Sequence, residues 1–181
     1  QGVEARWLTR AELQALLPGI GPVFQRALHF PRNAHTLDPR GLVHALVQAH
    51  AHAGGALQAE HALALKPASG GWHVVTAAGE SALDAVVVAN GLAARELVRP
   101  LGLALPLLAE RGYHLHIAGC PDAPPLPVVY RDKGVVATPM GDGLRIAGTV
   151  EIAREDAPPD EHRARNMIDH ARALFPHFDF S

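Results

Sequence analysis

The chain has 181 residues, enough for one ordinary domain or two partial ones with a sizeable buried core. Its 16 basic and 18 acidic residues nearly balance, so the charge gives no indication of nucleic-acid binding. The single cysteine, Cys120, excludes an internal disulfide and favours a reducing compartment. No apolar run approaches the roughly 20 residues of a membrane helix, and the start of the chain has no signal-peptide pattern. We therefore expect a folded, soluble chain without a transmembrane segment.

A short helix is predicted near the beginning of the chain. Thr9 and Glu12 have the spacing of a capping box, and Pro18-Gly19 ends the helix. The motif Gly19-Ile20-Gly21-Pro22 lacks a third glycine and follows no buried strand, so it predicts a turn rather than a phosphate-binding loop. His29 to Pro31 then indicates a short extended piece.

A second helix is predicted to start near Arg40. Asp38 is a typical N-cap, Pro39 suits the first helical position, and Gly54-Gly55 provides a C-terminal stop. Its apolar residues keep helical spacing, which predicts that one face packs against the protein. These residues are Leu42, Val43, Leu46, Val47 and Ala53.

Three strands and then a buried strand are expected in the middle of the chain. Period-two alternation from Leu57 to Leu65 predicts the first strand, and Trp72 to Thr76 and Glu80 to Leu83 complete an antiparallel meander. Ala85 to Ala89 is apolar without alternation, as in a parallel strand covered on both faces, and Asn90-Gly91 ends it sharply before a helical stretch. The fold class is therefore mixed α/β.

A last helix is predicted from Pro158-Pro159 to about Phe175. Its apolar residues form one stripe, and its charged residues lie on the opposite side. The stripe consists of Ala164, Met167, Ile168, Ala171, Leu174 and Phe175.

The run AVVVANGL, Ala85 to Leu92, resembles a strand and turn of the D-amino-acid oxidase superfamily of flavoproteins. Four further segments follow the order of that family, most like its D-amino-acid dehydrogenase branch. They are HFPRNAHTLDPRGLVHAL (29–46), PLLAERGYHLHI (106–117), TPMGDGLRIAGTVEIA (138–153) and HARALFP (170–176).

This resemblance implies a flavin lobe and a substrate lobe, each assembled from separated stretches of chain. Residues 38–104 would form a partial FAD-binding domain with the meander and the buried parallel strand. Residues 1–37 and 105–181 would belong to the substrate domain, an antiparallel sheet with helices. The family's N-terminal GxGxxG loop and its C-terminal segment with a carboxylate-binding arginine have no counterpart here, so the chain is expected to be an interior fragment.

The resemblance also implies contacts to FAD. Ala62 matches a backbone position that contacts the adenine, and the turn formed by Ala89, Asn90, Gly91 and Leu92 matches another flavin contact. Both contacts are mainly through the main chain, and Gly91 permits close approach of a ligand because it has no Cβ. Asn90 departs from the usual alanine or serine. The alternative is that Asn90-Gly91 is only a tight turn after a core strand.

On the substrate side, Arg111 is a candidate to pair bidentately with an amino-acid carboxylate; the alternative is a solvated surface arginine. Val136 matches a substrate-binding tyrosine of relatives such as glycine oxidase. A valine side chain cannot hydrogen-bond a carboxylate, so the resemblance leaves the identity of the substrate undetermined. Arg145 alternates with Leu144 and Ile146, which favours an outward-facing residue.

The 12 histidines prompt a metal hypothesis. His114 and His116 share one face of a predicted strand, but no third ligand is apparent and Cys120 offers one thiol only. We therefore predict no metal site, and the chain has no GxSxG motif of a hydrolase.

The implied activity is FAD-dependent oxidation of the Cα–N bond of D-amino acids or related amines, with no individual catalytic residue identified. Electrons would pass to a quinone or another acceptor. One alternative is a non-catalytic scaffold or interaction module derived from this fold. Another is an enzyme like sarcosine or glycine oxidase, or one that oxidises 2-hydroxy acids. The expected location is the cytoplasm, with a peripheral position at the inner membrane as the alternative for a complete enzyme.

Overall fold

The computed structural model describes residues 2–178 and Phe180. It contains two compact units, Gln1–Ala45 with Glu110–Ser181 and Leu46–Ala109. The sequence-based division placed the partial flavin domain at residues 38–104. The assignment of either unit to flavin or substrate stays a prediction.

The described residues form nine strands and four α-helices. The strands are β1 Arg6–Leu8, β2 Ala27–His29, β3 Ala64–Ala68, β4 Gly71–Thr76, β5 Gly79–Leu83, β6 Glu110–Ala118, β7 Val128–Tyr130, β8 Val135–Met140 and β9 Gly143–Ile152. The α-helices are α1 Arg10–Leu16, α2 Pro39–His52, α3 Ala94–Val98 and α4 Glu161–Leu174. In the part of the chain that the structure describes, no helix is both long and apolar enough to cross a membrane.

The predicted capping box begins α1. Glu12 N donates to Thr9 Oγ1 at 3.3 Å, and Thr9 N donates to Glu12 Oε2 at 2.8 Å. These two bonds satisfy backbone donors that the first helical turn leaves unpaired. The predicted helix and its start are therefore confirmed.

The larger unit is built on an antiparallel sheet with the strand order β6-β9-β8-β7. One face of this sheet carries the hydrophobic core and packs against α4. The fully buried side chains include Val135, Leu144, Ile146, Leu174 and Phe175. The opposite face, turned away from α4, carries the more exposed side chains of β6, β8 and β9.

The predicted apolar stripe of α4 is present. Met167, Ala171 and Leu174 are buried, while Ile168 is half-buried. The helix begins at Glu161 rather than at Pro158, because the Asp160 side chain accepts a hydrogen bond from His162 N at 3.1 Å and so caps the first turn.

The smaller unit contains the antiparallel meander β3-β4-β5, as predicted. Its first strand is shorter than the alternating sequence indicated. Strand β3 begins at Ala64, and the pairing extends only as far as a 2.8 Å bond from Leu63 N to Val75 O. Residues 57–62 do not extend the strand towards the N-terminus, because β4 ends at Thr76 and offers them no partner.

The predicted parallel strand at Ala85 to Ala89 is wrong. These residues form no strand, Val87 is 89% exposed, and every strand pair among the described residues is antiparallel. An apolar run becomes a buried strand only if neighbouring strands pair with its N–H and C=O groups. No described strand pairs with this run. The mixed α/β class and the antiparallel sheets are confirmed.

Helix α2 begins as predicted, but the prediction that one of its faces packs against the protein is wrong. Gly41 N donates to the Asp38 carboxylate at 2.8 Å, which caps the first turn. No residue of α2 is buried, and Val43 and Leu46 are 57% and 61% exposed. Helical spacing specifies which side is apolar, but it does not supply a surface for that side to contact.

Candidate functional site

The face of the four-stranded sheet turned away from α4 carries two rows of side chains in register. In the first row, His116 of β6 lies opposite Arg145 of β9, and Arg145 lies opposite Thr138 of β8. In the second row, Ala147 of β9 stands between His114 of β6 and Val136 of β8. We call these six residues the open face: His114, His116, Val136, Thr138, Arg145 and Ala147.

The open face combines cationic and apolar groups. Arg145 is exposed and makes no ion pair or side-chain hydrogen bond with any described residue. His116 Nε2 lies 3.4 Å from Asp142 Oδ1. Val136 and Ala147, two of the three residues of the second row, are apolar and half-buried. The face therefore offers a permanently charged donor beside an apolar surface.

Arg111 lies on the covered face of the same sheet. Its Nη1 donates to Glu151 Oε1 and to the carbonyl of Pro158, both at 3.0 Å, and its Nη2 donates to the carbonyl of Ala157 at 2.6 Å. Its side chain is 27% exposed. These bonds attach strand β6 to the segment that leads into α4.

Glu151 connects the other polar groups of this region. Its Oε1 accepts a 2.8 Å hydrogen bond from the Tyr113 hydroxyl, and its Oε2 lies 3.3 Å from Arg163 Nε on α4. The Tyr113 hydroxyl and the Glu151 carboxylate raise the pKa of Arg111 above its ordinary value. The guanidinium of Arg111 is therefore already engaged within the protein.

The flavin-side candidates all lie in the smaller unit, as Ala62 and residues 89–92 fall within 46–109. Ala62 is half-buried and lies two residues before β3. Asn90 and Gly91 are exposed, and Gly91 begins a short 3-10 helix with a φ of 61°. Beyond its chain neighbours, no heavy atom lies within 4 Å of the place that a Cβ on Gly91 would occupy. The turn thus leaves its main chain open to a ligand.

Comparison with known proteins identifies the family. The chain matches the family described as DAO, FAD dependent oxidoreductase, over residues 1–180. The chain belongs to this family. The predicted recognition of a DAO flavoprotein is thereby confirmed.

The relatives include amino-acid oxidoreductases. The chain is 36% identical over 177 residues to a D-amino-acid oxidase from Bradyrhizobium diazoefficiens. The aligned region covers 97% of this chain and 42% of the relative. It is 36% identical over 108 residues to a D-amino acid dehydrogenase from Paramagnetospirillum magneticum, covering 57% of this chain and 25% of the relative. The chain spans less than half the length of these relatives.

Solved structures show the same fold. A glycine oxidase from Geobacillus kaustophilus superposes with a TM-score of 0.79 at 25% identity, covering 97% of this chain and 47% of that one. An L-proline dehydrogenase from P. horikoshii, at 16% identity, has a TM-score of 0.81 and supports the fold alone.

The turn at residues 89–92 leaves room for a main-chain contact to FAD, the cofactor that the family description implies. The exposed backbone and the space beside Gly91 allow close approach of a dinucleotide, and no side chain obstructs that position. The 181 residues contain no GxGxxG sequence that could bind its pyrophosphate.

The structure separates the two substrate-side candidates of the sequence. Val136 lies on the open face, whereas Arg111 lies on the covered face and binds Glu151. His114 and His116 share the open face, as predicted, and no group of three metal-binding residues occurs in the described part of the chain.

Sequence reasoning missed the first row of the open face. Alternation placed Arg145 outward, which its exposure confirms. The pairing with His116 and Thr138 depends on strand register, and a turn length or periodicity does not reveal the register of strands that are distant in sequence.

Proposed function

We propose that this chain forms part of an FAD-dependent oxidoreductase that oxidises the Cα–N bond of D-amino acids or related amines. The observation that carries the proposal is the 36% identity to a D-amino-acid oxidase across 97% of this chain. When bound, FAD would accept the hydride that leaves the substrate's α-carbon, and water would hydrolyse the resulting imine to an oxo acid and ammonia.

The smaller unit would contribute main-chain contacts to FAD. Ala62 and the turn Ala89, Asn90, Gly91 and Leu92 are the proposed contacts, and the space beside Gly91 supports this role. A neutral main-chain hydrogen bond adds only about 0.5–1.5 kcal/mol, so these contacts would orient the cofactor rather than supply most of its affinity.

The sheet of the larger unit would contribute the substrate surface. Val136 would contact an apolar part of the substrate. For Arg111, the predicted carboxylate contact would require the guanidinium to exchange its bonds to Glu151 or to the carbonyls of Ala157 and Pro158. Since the protein already satisfies this side chain, a substrate contact at Arg111 requires rearrangement of the covered face.

A glycine-oxidase-like substrate is the second candidate. A glycine oxidase from Pseudomonas aeruginosa is 31% identical over 168 residues, covering 91% of this chain and 46% of the relative. Val136, which cannot donate a hydrogen bond, favours a substrate with an apolar side chain over glycine.

The test uses protein expressed from the complete natural reading frame. We expect flavin absorbance in the purified protein and turnover of apolar D-amino acids with an artificial electron acceptor. Peroxide production would indicate an oxidase, whereas turnover only with a quinone or dye would indicate a dehydrogenase. Preference for glycine, sarcosine or a 2-hydroxy acid would replace the D-amino-acid assignment. A colourless protein that gains no absorbance with added FAD would contradict the proposal and favour a non-catalytic scaffold.

A further inference from the structure

We propose that a cavity between α4 and the strands β8 and β9 binds a phosphate group. The cavity has a volume of about 440 Å³ and lies on the α4 side of the four-stranded sheet, opposite to the open face. It is therefore a second site, and its assignment does not depend on the proposed function.

The sheet and one face of α4 line this cavity. The sheet contributes Val135, Gly148 and Thr149. The helix contributes residues at the spacing i, i+3, i+4 and i+7, which lie on one helix face. These residues are Arg163, Asn166, Met167 and His170. Val135 and Met167 are 1% and 2% exposed, so they form an apolar inner wall.

Most polar side chains of the cavity are donors that are free to bind a ligand. Five of them make no side-chain hydrogen bond or ion pair with any residue that the structure describes. They are Lys133, Thr149, His162, Asn166 and His170. Each can donate a hydrogen bond, and the Lys133 ammonium is also positively charged.

The other two charged residues of the cavity already face opposite charges. Arg163 Nε lies 3.5 Å from Asp160 Oδ2 and 3.3 Å from Glu151 Oε2. Neither contact has hydrogen-bond geometry, so this buried Nε donates no hydrogen bond. Asp160 also accepts a 3.1 Å bond from the backbone N–H of His162. Lys133 has no counter-ion among the described residues, which leaves its charge available to an incoming anion.

The arrangement of the donors favours phosphate over a carboxylate. A phosphate group presents oxygens in several directions, whereas a carboxylate presents two oxygens in one plane, and the donors here come from both the sheet side and the helix. Lysine binds phosphate as a compact point charge. The volume lies within the roughly 300–1,000 Å³ of small-molecule sites, so an organic group attached to the phosphate has space beside Val135 and Met167. The ligand is therefore free phosphate or a phosphorylated small molecule.

The experiment measures the binding of inorganic phosphate by calorimetry to protein expressed from the complete reading frame. Lys133→Gln and Asn166→Asp alter the cavity, and each lowers the net charge by one unit. Arg131→Gln is the matched control, because Arg131 is exposed in the same 3-10 helix, Arg131–Lys133, but does not line the cavity. Lys133→Gln should raise the Kd for phosphate about 10-fold, since it removes a charged hydrogen-bond donor. Asn166→Asp should raise it at least as much by placing a carboxylate beside the anion, whereas Arg131→Gln should keep the wild-type Kd.

Two further ligands identify the source of the phosphate group. Tighter binding of phenyl phosphate than of inorganic phosphate would indicate a phosphorylated small molecule, whereas equal affinities would indicate free phosphate. Benzoate that binds as tightly as phenyl phosphate would overturn the assignment to phosphate.

Three results would overturn the site itself. They are no binding of either phosphate, wild-type affinity in both Lys133→Gln and Asn166→Asp, and an equal loss of affinity in Arg131→Gln. Lys133 and Asn166 are exposed, so both cavity variants should keep the wild-type thermal midpoint. Because amino-acid oxidation is not measured, failure of the proposed function would leave these results unchanged.

Discussion

The Tyr113 hydroxyl donates a 2.8 Å hydrogen bond to Glu151 Oε1 on the neighbouring strand. The same hydroxyl accepts a 2.8 Å bond from the backbone N–H of Asp160, the residue that caps α4. Tyr113 is only 9% exposed, so neither partner can readily exchange this hydroxyl for water. One side chain thereby connects β6, β9 and the start of α4.

Tyr113→Phe should lower the free energy of unfolding by about 1–3 kcal/mol, because it removes one hydrogen bond from the partly buried Glu151 carboxylate and leaves the N–H of Asp160 without its partner. Chemical denaturation measures this value. Tyr130→Phe is the matched control, since its hydroxyl makes no hydrogen bond with the described residues. Equal stability losses in the two variants would contradict the role of the Tyr113 hydroxyl.

Leucines on α4 and α2 should respond differently to truncation. Leu174 is 1% exposed and Leu46 is 61% exposed. Leu174→Ala should cost about 2–5 kcal/mol because it opens a cavity in the core, whereas Leu46→Ala in the 181-residue chain should stay within about 0.5 kcal/mol. Thermal melts of both variants provide the comparison. A large loss in Leu46→Ala would show that the apolar side of α2 is packed.

The capping box should make stability depend on pH. The hydrogen bond from Thr9 N to the carboxylate lowers the pKa of Glu12 from its ordinary value. Because the folded-state pKa is the lower one, the carboxylate stabilises the fold above the unfolded value near 4.5, and this contribution disappears as the pH falls through the folded value.

Glu12→Gln keeps a side-chain acceptor but removes the charge. The stability difference between the wild-type chain and this variant should therefore be larger at about pH 7 than at about pH 3. Urea denaturation at the two pH values measures it, with exposed Glu60→Gln as the control. A difference that does not change with pH would exclude the charged cap.

Gly91→Ala should weaken FAD binding by the protein from the complete reading frame. The residue has a φ of 61°, which costs an alanine about 1–2 kcal/mol, and the added methyl group enters the space proposed for the cofactor. Gly102→Ala is a matched control, because Gly102 has a φ of 80° and equally open surroundings. Both variants should lose similar stability, but only Gly91→Ala should raise the Kd for FAD. Equal Kd values would argue against the turn as a flavin contact.

The 181-residue chain by itself should bind FAD weakly, with a Kd above the micromolar range, and should show no dehydrogenase activity. Its sequence offers main-chain contacts at Ala62 and residues 89–92 but no glycine loop for the pyrophosphate. Fluorescence titration tests this expectation. Sub-micromolar affinity would show that another stretch of these 181 residues binds the cofactor.

Local signals predicted the parts of the fold that depend on neighbouring residues. Thr9 and Glu12 are three residues apart, and their reciprocal bonds follow from helix geometry alone. The meander β3-β4-β5 is likewise joined by short turns at Gly70 and Ala78, so that consecutive strands pair without distant partners.

Features that need distant partners could not be obtained from the sequence. The valines at 86–88 have the composition of a buried strand, but burial depends on strands beside them. Arg111 and Arg145 also look alike in sequence, as each is an arginine in an alternating strand. Only the fold shows that Glu151 and two carbonyls engage the first, while the second lies between His116 and Thr138.

Strand β9 has one residue more than its partner β6 between two pairs, Tyr113 with Thr149 and His114 with Ala147. The additional residue is Gly148, where a Cβ would lie 2.1 Å from the carbonyl oxygen of Gly134. In a regular strand, Arg145 and Glu151 would share a face, since they are an even number of residues apart. The bulge shifts the phase of the strand by one residue. Arg145, before the bulge, therefore lies on the open face, whereas Glu151, after it, lies on the side of α4, and deleting Gly148 would turn one of these two charges to the wrong side of the sheet.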